Sequence, residues 1–335
     1  NDEAGAGVSV ADFWDGQTYS ARSKSVYLSW AASVGPYTVS VAKNENFEGA
    51  TEYQVANNGL NLPNLNMATT YYWKVEDGMG KVSSVNSFVT EDTVRFIDAG
   101  MVVNVRDLGG RMTNSGKRVK QGLLYRGAEM NIQSYTDQNG SVHNLNLRKH
   151  ELDLFKNELN IKTEIDFRTD AETNSMTRSP LGDDVTYYRP AIGAYTSMFC
   201  KHTSNGADNP EMREMYRNIL LTLAQATEDS AVYYHCWGGA DRTGTISFIV
   251  NGLLGVSYTD LLIDFELTTF SCNFRSREDN PTYYNYFNSM VTQLKDNYQK
   301  SEDETISTVM ERYMKECLYL TDADISALKT NLLEK

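Results

Sequence analysis

Short apolar runs separated by Asn, Gly and Pro recur through the first 92 residues of the chain. Alternation of apolar and polar positions over about four to eight residues is typical of half-buried β-strands, and the residues between the runs favour turns. The predicted strands span residues 26–30, 37–42, 51–55, 70–75 and 82–89. Several short strands with no helical pattern between them predict an all-β sandwich over residues 1–92.

The pattern changes over residues 93–335, where strand-like runs alternate with helical ones. The predicted strands span residues 123–125, 163–167, 186–188 and 232–234. The predicted helices span residues 149–158, 211–225, 243–254, 258–268, 283–298, 302–317 and 322–333. This alternation predicts an α/β domain with a central sheet flanked by helices. The polar stretch between Asn131 and Asn146 predicts an irregular insertion or lid.

Composition narrows the classes of partner. The chain has 335 residues and a formal net charge of −13, which argues against nucleic acid or an anionic membrane surface as the main partner. No apolar stretch approaches the length of a membrane span, so no integral membrane segment is expected. An anionic substrate would need a locally positive site. The candidate cations are Arg106, Arg126, Arg168, Arg242, Arg275 and Arg277.

The chain starts with small and polar residues and without Met. Together with the predicted sandwich, this start predicts export from a bacterium as a periplasmic, surface-lipoprotein or secreted protein.

The four cysteines are too widely spaced for a zinc pattern or a disulfide framework. Buried free thiols are expected, with a redox pair left open for two of them. They are Cys200, Cys236, Cys272 and Cys317.

One segment carries a specific chemical signal: Cys236 precedes Arg242 by a loop of five residues that contains Gly238 and Gly239. A β-rich run comes before it, and an apolar helical pattern closed by Gly255 follows. Backbone N–H groups and the positive end of a helix bind anions, and glycines let the backbone close around one. The segment predicts a phosphate-binding loop, whose residues are Trp237, Gly238, Gly239, Ala240, Asp241 and Arg242.

The same arrangement favours a reactive thiolate at Cys236, because N–H groups, a helix N-terminus and a guanidinium all stabilise that charge. Arg242 offers a planar fork to two phosphoryl oxygens, and Thr243 can donate its hydroxyl to the sulfur. A cysteine five residues before an arginine can occur by chance, and most free cysteines are buried apolar residues. His235 before the cysteine and the Arg-Thr-Gly after it favour a catalytic loop.

Four further segments strengthen the catalytic interpretation. Residues 104–110, 122–127, 166–172 and 264–268, together with the loop, resemble the tyrosine phosphatase 3 family, which comprises atypical bacterial protein-tyrosine and lipid phosphatases and includes secreted enzymes. The resemblance runs from residue 103 to the C-terminus and implies a cysteine-phosphatase fold. It also implies that Cys236 attacks phosphorus, that Arg242 holds the phosphoryl group and that water hydrolyses the phosphocysteine. No metal and no cofactor are implied.

The general acid is left open among three aspartates. The resemblance makes Asp241 the first candidate, followed by Asp166 and then Asp107. Asp166 could instead pair with Arg168, and Asp107 could cap a turn. His235 is expected to orient the loop or tune the thiolate rather than to carry a proton.

The substrate is less constrained than the reaction. Ala240 stands where the family commonly has a lysine associated with phosphoinositides, which favours phosphotyrosine or small phosphomonoesters, and Trp237 would add an aromatic wall. Arg275 and Arg277 either compensate for that lysine or lie on a solvated helix face. The expected partner is a phosphorylated protein or a small phosphomonoester, with phosphoserine and phosphothreonine left open. Phosphoinositides or inositol polyphosphates are the alternative substrates, and the oligomeric state is not predicted.

Two non-enzymatic alternatives concern binding and the N-terminal region. The chain could bind phosphate esters without turnover, or act as a surface adhesive protein. Residues 65–75 resemble the part of a fibronectin type III domain in which a tyrosine corner enters a strand. The first 92 residues contain neither Cys nor His, so a spacer or a substrate-presenting module is expected there.

Overall fold

The computed structural model describes residues 25–130, 132–136, 142–145, 147–173, 175–199, 209–271 and 281–335. Within these ranges the chain divides into two compact units, one ending at Asp98 and the other beginning at Ala99. Each unit has its own sheets and its own hydrophobic core. In the described part of the chain, no helix has both the length and the apolar character that a membrane span requires.

The first unit consists of six short strands in two antiparallel sheets. The strands are β1 (Val26–Ser29), β2 (Tyr37–Ala42), β3 (Thr51–Val55), β4 (Gly59–Leu62), β5 (Thr70–Glu76) and β6 (Asn86–Val89). One sheet pairs β1 with β4, and the other has the order β3-β2-β5-β6. Strand β4 was not predicted, and the strand predicted over 82–89 is reduced to β6. Both segments are short and contain Asn or Gly, which weaken an alternating pattern.

One hydrophobic core joins the two sheets of this unit. Val39 and Val41 of β2 are buried together with Leu28 of β1 and Leu62 of β4. In the same unit, the hydroxyl of a tyrosine on β5, Tyr71, accepts the backbone N–H of Asn66 at 2.9 Å. A tyrosine corner makes this kind of bond to a backbone group a few residues upstream. The fibronectin type III resemblance stays a prediction.

The second unit is built on a five-stranded sheet. Its strands are β7 (Arg106–Asp107), β8 (Leu124–Gly127), β11 (Ile161–Asp166), β12 (Thr186–Tyr188) and β13 (Ala231–His235). The order across the sheet is β12-β11-β13-β8-β7, and every pairing is parallel except that of β7 with β8. The four predicted strands are therefore confirmed as β8, β11, β12 and β13. The mixed α/β class expected for residues 93–335 is also confirmed.

Helices surround this sheet and pack an extensive apolar core against it. They are α1 (Lys149–Asp153), α2 (Asp170–Thr173), α3 (Pro210–Leu223), α4 (Asp241–Leu254), α5 (Tyr258–Glu266), α6 (Pro281–Tyr298), α7 (Ile306–Glu316) and α8 (Asp322–Leu332). Helix α1 continues as a π-helical turn, and short 3₁₀ turns follow at Tyr195–Met198 and Leu267–Phe270. Gly255 ends α4 with φ +84°, as the sequence predicted.

The segment between Asn131 and Asn146 differs from its prediction. Two antiparallel strands lie there, β9 (Ile132–Thr136) and β10 (Val142–Leu145), so the expectation of irregular structure is wrong. The role as an insertion or lid stays a prediction. Their residues are mostly polar, and the apolar alternation that reveals a half-buried strand is therefore weak.

The sheet determines where the chemistry can occur. Strand β13 lies at the centre, with β11 on one side and β8 on the other, and all five of its residues are buried. The carboxyl ends of β8, β11 and β13 meet at one edge, because these strands are parallel. In α/β sheets, ligands bind outside this edge. The loop that carries Cys236 leaves β13 at that point and leads into α4.

Candidate active site

The loop from Cys236 to Asp241 is held in a tight turn between β13 and α4. Gly239 adopts φ +67°, a conformation that residues with a Cβ rarely take. A Cβ at this position would lie 2.4 Å from the carbonyl carbon and oxygen of Gly127. Glycine is therefore required at position 239. Cys236 itself is buried, with 2% of its surface exposed.

Side chains from other elements hold the carbonyl groups of the loop from behind. The amide nitrogen Nδ2 of Asn104 donates to the carbonyl oxygens of Gly238 and Gly239, at 3.1 Å each. Nη2 of Arg126 donates to the same Gly239 oxygen at 2.6 Å. In a trans peptide the C=O and the following N–H point in opposite directions. The N–H groups of Gly239 and Ala240 therefore face away from these donors, toward the interior of the loop.

A buried ion cluster supports Asn104 and Arg126. Asp264 accepts from Nε of Arg106 at 2.8 Å and from Nη1 of Arg126 at 2.5 Å. Burial alone would raise the pKa of Asp264, but Arg106 and Arg126 hold that pKa well below its ordinary value. Burial, followed by the neighbouring Arg126, lowers the pKa of Arg106 to about 10. These three groups carry one net positive charge behind the loop.

At the rim of the loop, Arg242 is held by a carboxylate. Nη1 of Arg242 donates to Oε2 of Glu172 at 2.8 Å, and Nη2 donates to Oε1 at 2.6 Å. Nη1 also donates to the carbonyl oxygen of Phe167 at 3.0 Å. Burial alone would lower the pKa of Arg242, but the hydrogen bonds with Glu172 and the neighbouring Cys236 raise it. The guanidinium is thus fixed beside the sulfur while 18% of the side chain stays exposed.

Glu172 belongs to the segment 166–172 that resembles the family, but the sequence alone assigns no role to this residue. The backbone N–H of Thr169 donates to Oε2 of Glu172 at 2.8 Å, which places the carboxylate at the start of helix α2. Hydrogen bonding from Arg242 is the main cause that lowers the pKa of Glu172 to about 2. The spacing of Thr169 and Glu172, typical of a capping box, was the available sequence signal.

Asp241 is the aspartate that lies at the open end of the site. It starts helix α4 next to Arg242, and the hydroxyl of Tyr195 donates to its Oδ1. Tyr195 adopts φ +56°, and Oγ1 of Thr245 accepts its backbone N–H at 2.8 Å. Its ring stacks on Tyr286 with the ring centroids 4.9 Å apart. Tyr195 is a residue that the sequence analysis did not identify.

The other two candidate acids are engaged in structural bonds. Asp166 is fully buried and binds Arg168, with Oδ2 at 2.7 Å from Nη2. Burial would raise the pKa of Asp166, but His235 and Arg168 lower it, which disfavours a protonated carboxyl. Asp107 accepts the backbone N–H groups of Gly109 and Gly122, at 2.8 and 2.7 Å. Asp166 and Asp107 are therefore buried in structural contacts, and the role of Asp241 as the proton donor stays a prediction.

Arg168 is also withdrawn from any substrate. It is fully buried, and it pairs with Glu129 in addition to Asp166. The hydroxyl of Tyr187 donates to Oδ2 of Asp166 at 2.9 Å, which completes a closed polar cluster. Arg168 is thus part of the buried structure at the edge of the sheet, where Asp166 and Glu129 already balance its charge.

Trp237 and Thr243 were each predicted to contribute to the site, the first as an aromatic wall and the second as a hydrogen-bond donor to the sulfur. Trp237 is 58% exposed, which suits an aromatic wall at the mouth of the loop. Oγ1 of Thr243 is buried and has no hydrogen-bond partner among the described residues. Its donation to the sulfur stays a prediction, and the neighbouring Cys236 is among the groups that raise the pKa of Arg242. The predicted cations Arg275 and Arg277, and the cysteines Cys200 and Cys272, lie outside the described residues.

His235 lies behind the nucleophile, inside the sheet. Its Nε2 is 2.9 Å from Oε1 of Glu164, and its Nδ1 is 3.0 Å from the carbonyl oxygen of Cys236. In the described part of the chain, Glu164, Asp166 and His235 are the group whose ligand-type atoms all lie within 4.8 Å of one another. The guanidinium of Arg168 already neutralises Asp166, so a divalent cation does not fit this cluster.

Known protein families and curated proteins include sequences that are similar to this chain. Residues 97–334 match the model of a family described as the tyrosine phosphatase family. A Cupriavidus necator protein named "Putative tyrosine-protein phosphatase" is 25% identical over 180 residues. That alignment covers 49% of this chain and 59% of the relative, so less than two thirds of the relative is spanned.

A solved structure also matches at low similarity. It is the crystal structure of P. aeruginosa TpbA, 14% identical, and the match covers 64% of this chain and 89% of that one. The TM-score is 0.23, which is too low to support a structural argument.

Proposed function

Because the chain belongs to the tyrosine phosphatase family, we propose that it hydrolyses phosphomonoesters, above all phosphotyrosine, through a phosphocysteine intermediate and without a metal ion. The observation that carries this proposal is the fixed guanidinium of Arg242 beside the sulfur of Cys236, at the end of the central strand. A cation in this place stabilises a thiolate and binds the oxygens of a phosphoryl group. Arg242 would thus stabilise the thiolate nucleophile and also bind the phosphoryl group that it attacks.

The loop supplies the rest of the phosphate site. The N–H groups of Gly239 and Ala240 face its interior, because Asn104 and Arg126 hold the preceding carbonyl oxygens outside. Helix α4 begins at Asp241 and adds the positive end of its dipole. These donors are arranged before a substrate arrives, so little reorganisation is needed when negative charge develops on the phosphoryl oxygens.

In the proposed reaction, the thiolate of Cys236 attacks phosphorus, the S–P bond forms and the P–O bond to the leaving group breaks. Asp241 donates a proton to the departing oxygen, which releases a neutral phenol or alcohol. Asp241, now a carboxylate, takes a proton from water as the water attacks the phosphocysteine. The S–P bond then breaks, inorganic phosphate leaves and the thiolate is restored.

The rim of the site favours an aryl substrate on a protein or a small molecule. Trp237 is exposed beside the loop, and aromatic side chains pair well with an aromatic leaving group. Ala240 contributes no charge for additional phosphate groups, which favours a single phosphomonoester over a polyphosphorylated inositol ring. Phosphoserine and phosphothreonine are a secondary part of the proposal, since the same loop would bind their phosphoryl group.

The nucleophile and the absence of a metal requirement are tested together. Hydrolysis of para-nitrophenyl phosphate should continue in excess EDTA and be abolished by Cys236→Ser, because an alcohol at that position is a much poorer nucleophile at neutral pH. Cys317→Ser is the matched control, since Cys317 is also a buried cysteine but belongs to the helical core. It should keep wild-type turnover. Turnover by Cys236→Ser, or its loss in EDTA, would sink this proposal.

A further inference from the structure

Two buried ionisable residues behind the nucleophile lie on neighbouring strands. Glu164 of β11 and His235 of β13 are both fully buried, and the parallel register pairs Glu164 with Tyr233 and Asp166 with His235. This offset lets the longer side chain of Glu164 reach Nε2 of His235 at 2.9 Å. A glutamate in a fully buried β-strand position is unusual, because burial of a carboxylate is costly unless it is paired.

The environment of the imidazole defines its protonation state. Nε2 of His235 faces a carboxylate oxygen of Glu164, and Nδ1 faces the carbonyl oxygen of Cys236 at 3.0 Å. Both neighbours accept hydrogen bonds, and a carbonyl oxygen has no proton to give. A neutral imidazole carries only one N–H, whereas the imidazolium carries two. With Glu164 ionised, only the imidazolium satisfies both contacts.

The surrounding charges support a cation at this position. The charged and titratable groups near the ring are Glu164, Asp166, Glu129, Arg168, Tyr233 and Cys236. Three of them are carboxylates and one is a guanidinium, so an imidazolium lowers the excess of negative charge. Burial alone would lower the pKa of His235, but Asp166 and the hydrogen bond that the ring donates to Glu164 raise it above its ordinary value.

Glu164 depends on this pairing in turn. Its Oε2 is buried without a hydrogen-bond partner among the described residues, so His235 is the ionic partner seen for this carboxylate. Asp166, by contrast, is already bound by Arg168 and Tyr187. Glu164 is therefore the counter-ion that is hydrogen-bonded to the imidazole, whereas Oδ1 of Asp166 lies 4.0 Å from Nδ1. Nδ1 is also 3.0 Å from the carbonyl oxygen of Cys236.

We propose that Glu164 is a positioning residue that holds His235 as an imidazolium immediately before Cys236. This inference rests on the proposed function, in which Cys236 must react as a thiolate. A fixed cation one residue away stabilises that thiolate, and the Nδ1–H bond fixes the carbonyl group at which the loop begins. Glu164 touches neither the substrate nor the sulfur in this scheme, and it acts through His235.

The first test measures the protonation state of the His235 imidazole directly in the wild-type protein. Long-range ¹H–¹⁵N NMR spectra distinguish a doubly protonated ring from either neutral tautomer, and His235 is assigned by comparison with His235→Asn. The expected result at neutral pH is an imidazolium for His235. A neutral ring would overturn the inference, and this holds even if variants at position 164 fail to fold.

The second test reads the thiol. Alkylation of Cys236 by iodoacetamide, followed across pH by mass spectrometry of its peptide, should have its midpoint shifted upward by about one unit in Glu164→Gln, so alkylation below the midpoint slows about tenfold. Glu151→Gln is the matched control, because Glu151 is an equally buried carboxylate bound to Arg148. It should leave the midpoint unchanged.

The outcomes separate this inference from the proposed function. An unchanged or lowered midpoint in Glu164→Gln would show that Glu164 does not support the thiolate, and it would overturn the inference. Turnover by Cys236→Ser would instead refute the nucleophile while leaving the NMR and alkylation results valid. Partial recovery of the wild-type midpoint in Glu164→Asp, which keeps the charge on a shorter side chain, is expected if the carboxylate is responsible.

Discussion

Two groups of arginines flank the loop, and they differ in what their carboxylates do. Arg106 and Arg126 are fully buried and share Asp264, and Arg126 also donates to the carbonyl oxygen of Gly239 in the loop. Arg242 is partly exposed and pairs with Glu172 at the rim. In the proposed function, the buried cluster supports the backbone of the phosphate-binding loop, whereas the rim pair presents a cation to the ligand. Substitutions in the buried cluster should mainly lower stability, whereas substitutions in the rim pair should mainly lower activity.

The buried cluster should show the largest effect. Asp264→Asn leaves two buried guanidinium groups without their counter-ion, and the expected loss is about 3–5 kcal/mol in the free energy of unfolding. Urea denaturation measures this loss. The control is Asp153→Asn, which removes an exposed ion pair with Lys149 and should change stability by less than about 0.5 kcal/mol. Equal effects of the two substitutions would contradict the structural role of the cluster.

Substitution of Arg242 at the rim should have the opposite effect, with a large loss of activity and a small loss of stability. Arg242→Lys keeps the positive charge but loses the planar fork, so kcat/KM for para-nitrophenyl phosphate should fall by about 10²–10³-fold. The free energy of unfolding should change by less than about 1 kcal/mol, because the ion pair with Glu172 is partly exposed. A large loss of stability with little loss of activity would reverse the proposed division of roles.

The carboxylate of the rim pair should have a smaller, pH-dependent effect. Glu172→Gln should lower kcat/KM about tenfold, because Arg242 is held less firmly in position. The pKa of Glu172 is lowered from 4.5 to about 2, chiefly by its hydrogen bond with Arg242. The ion pair therefore contributes stability that is fully present above pH 4.5 and is lost as the pH falls through about 2.

Thermal melting of wild type and Glu172→Gln at several pH values checks that sign. The difference in melting temperature should be constant in the neutral range and shrink toward zero in strong acid. A difference that grows as the pH falls would mean that protonation of Glu172, rather than its ionised form, stabilises the rim.

The smallest expected effect concerns the hydroxyl that contacts Asp241. Tyr195→Phe removes the hydrogen bond to that carboxylate but keeps the ring that stacks on Tyr286. Loss of one such bond is worth about 1 kcal/mol, roughly a fivefold change in rate. The effect should be clear with phenyl phosphate, whose leaving group needs a proton, and weak with para-nitrophenyl phosphate. Equal effects on both substrates would argue against Asp241 as the acid.

The sequence alone predicted the strand and the helix on either side of the loop, because the residues of this segment are contiguous. Cys236, Arg242 and the glycines between them require only local geometry, and the flanking strand and helix follow from hydrophobic periodicity. The same periodicity predicted the four parallel strands. Strands β9 and β10 were missed, since their residues are mostly polar and lack that signal.

The residues that complete the site come from distant parts of the chain. Asn104 reaches the carbonyl oxygen of Gly238 across 134 positions, and Tyr195 reaches Asp241 across 46. No local pattern shows such contacts, because they depend on strand order and on how the loops meet at the sheet edge. Glu164 is a further example, since its role depends on the register between β11 and β13.

The central claim is that Cys236 carries the phosphoryl group during turnover. Rapid quenching of the reaction with para-nitrophenyl phosphate, followed by mass spectrometry of the peptides, tests it most directly. Asp241→Asn is the variant of choice, because slower hydrolysis of the intermediate lets it accumulate. We predict one phosphoryl group on the peptide that contains Cys236, located on that cysteine. Steady turnover with no phosphorylated peptide, or with the phosphoryl group on another residue, would contradict the mechanism.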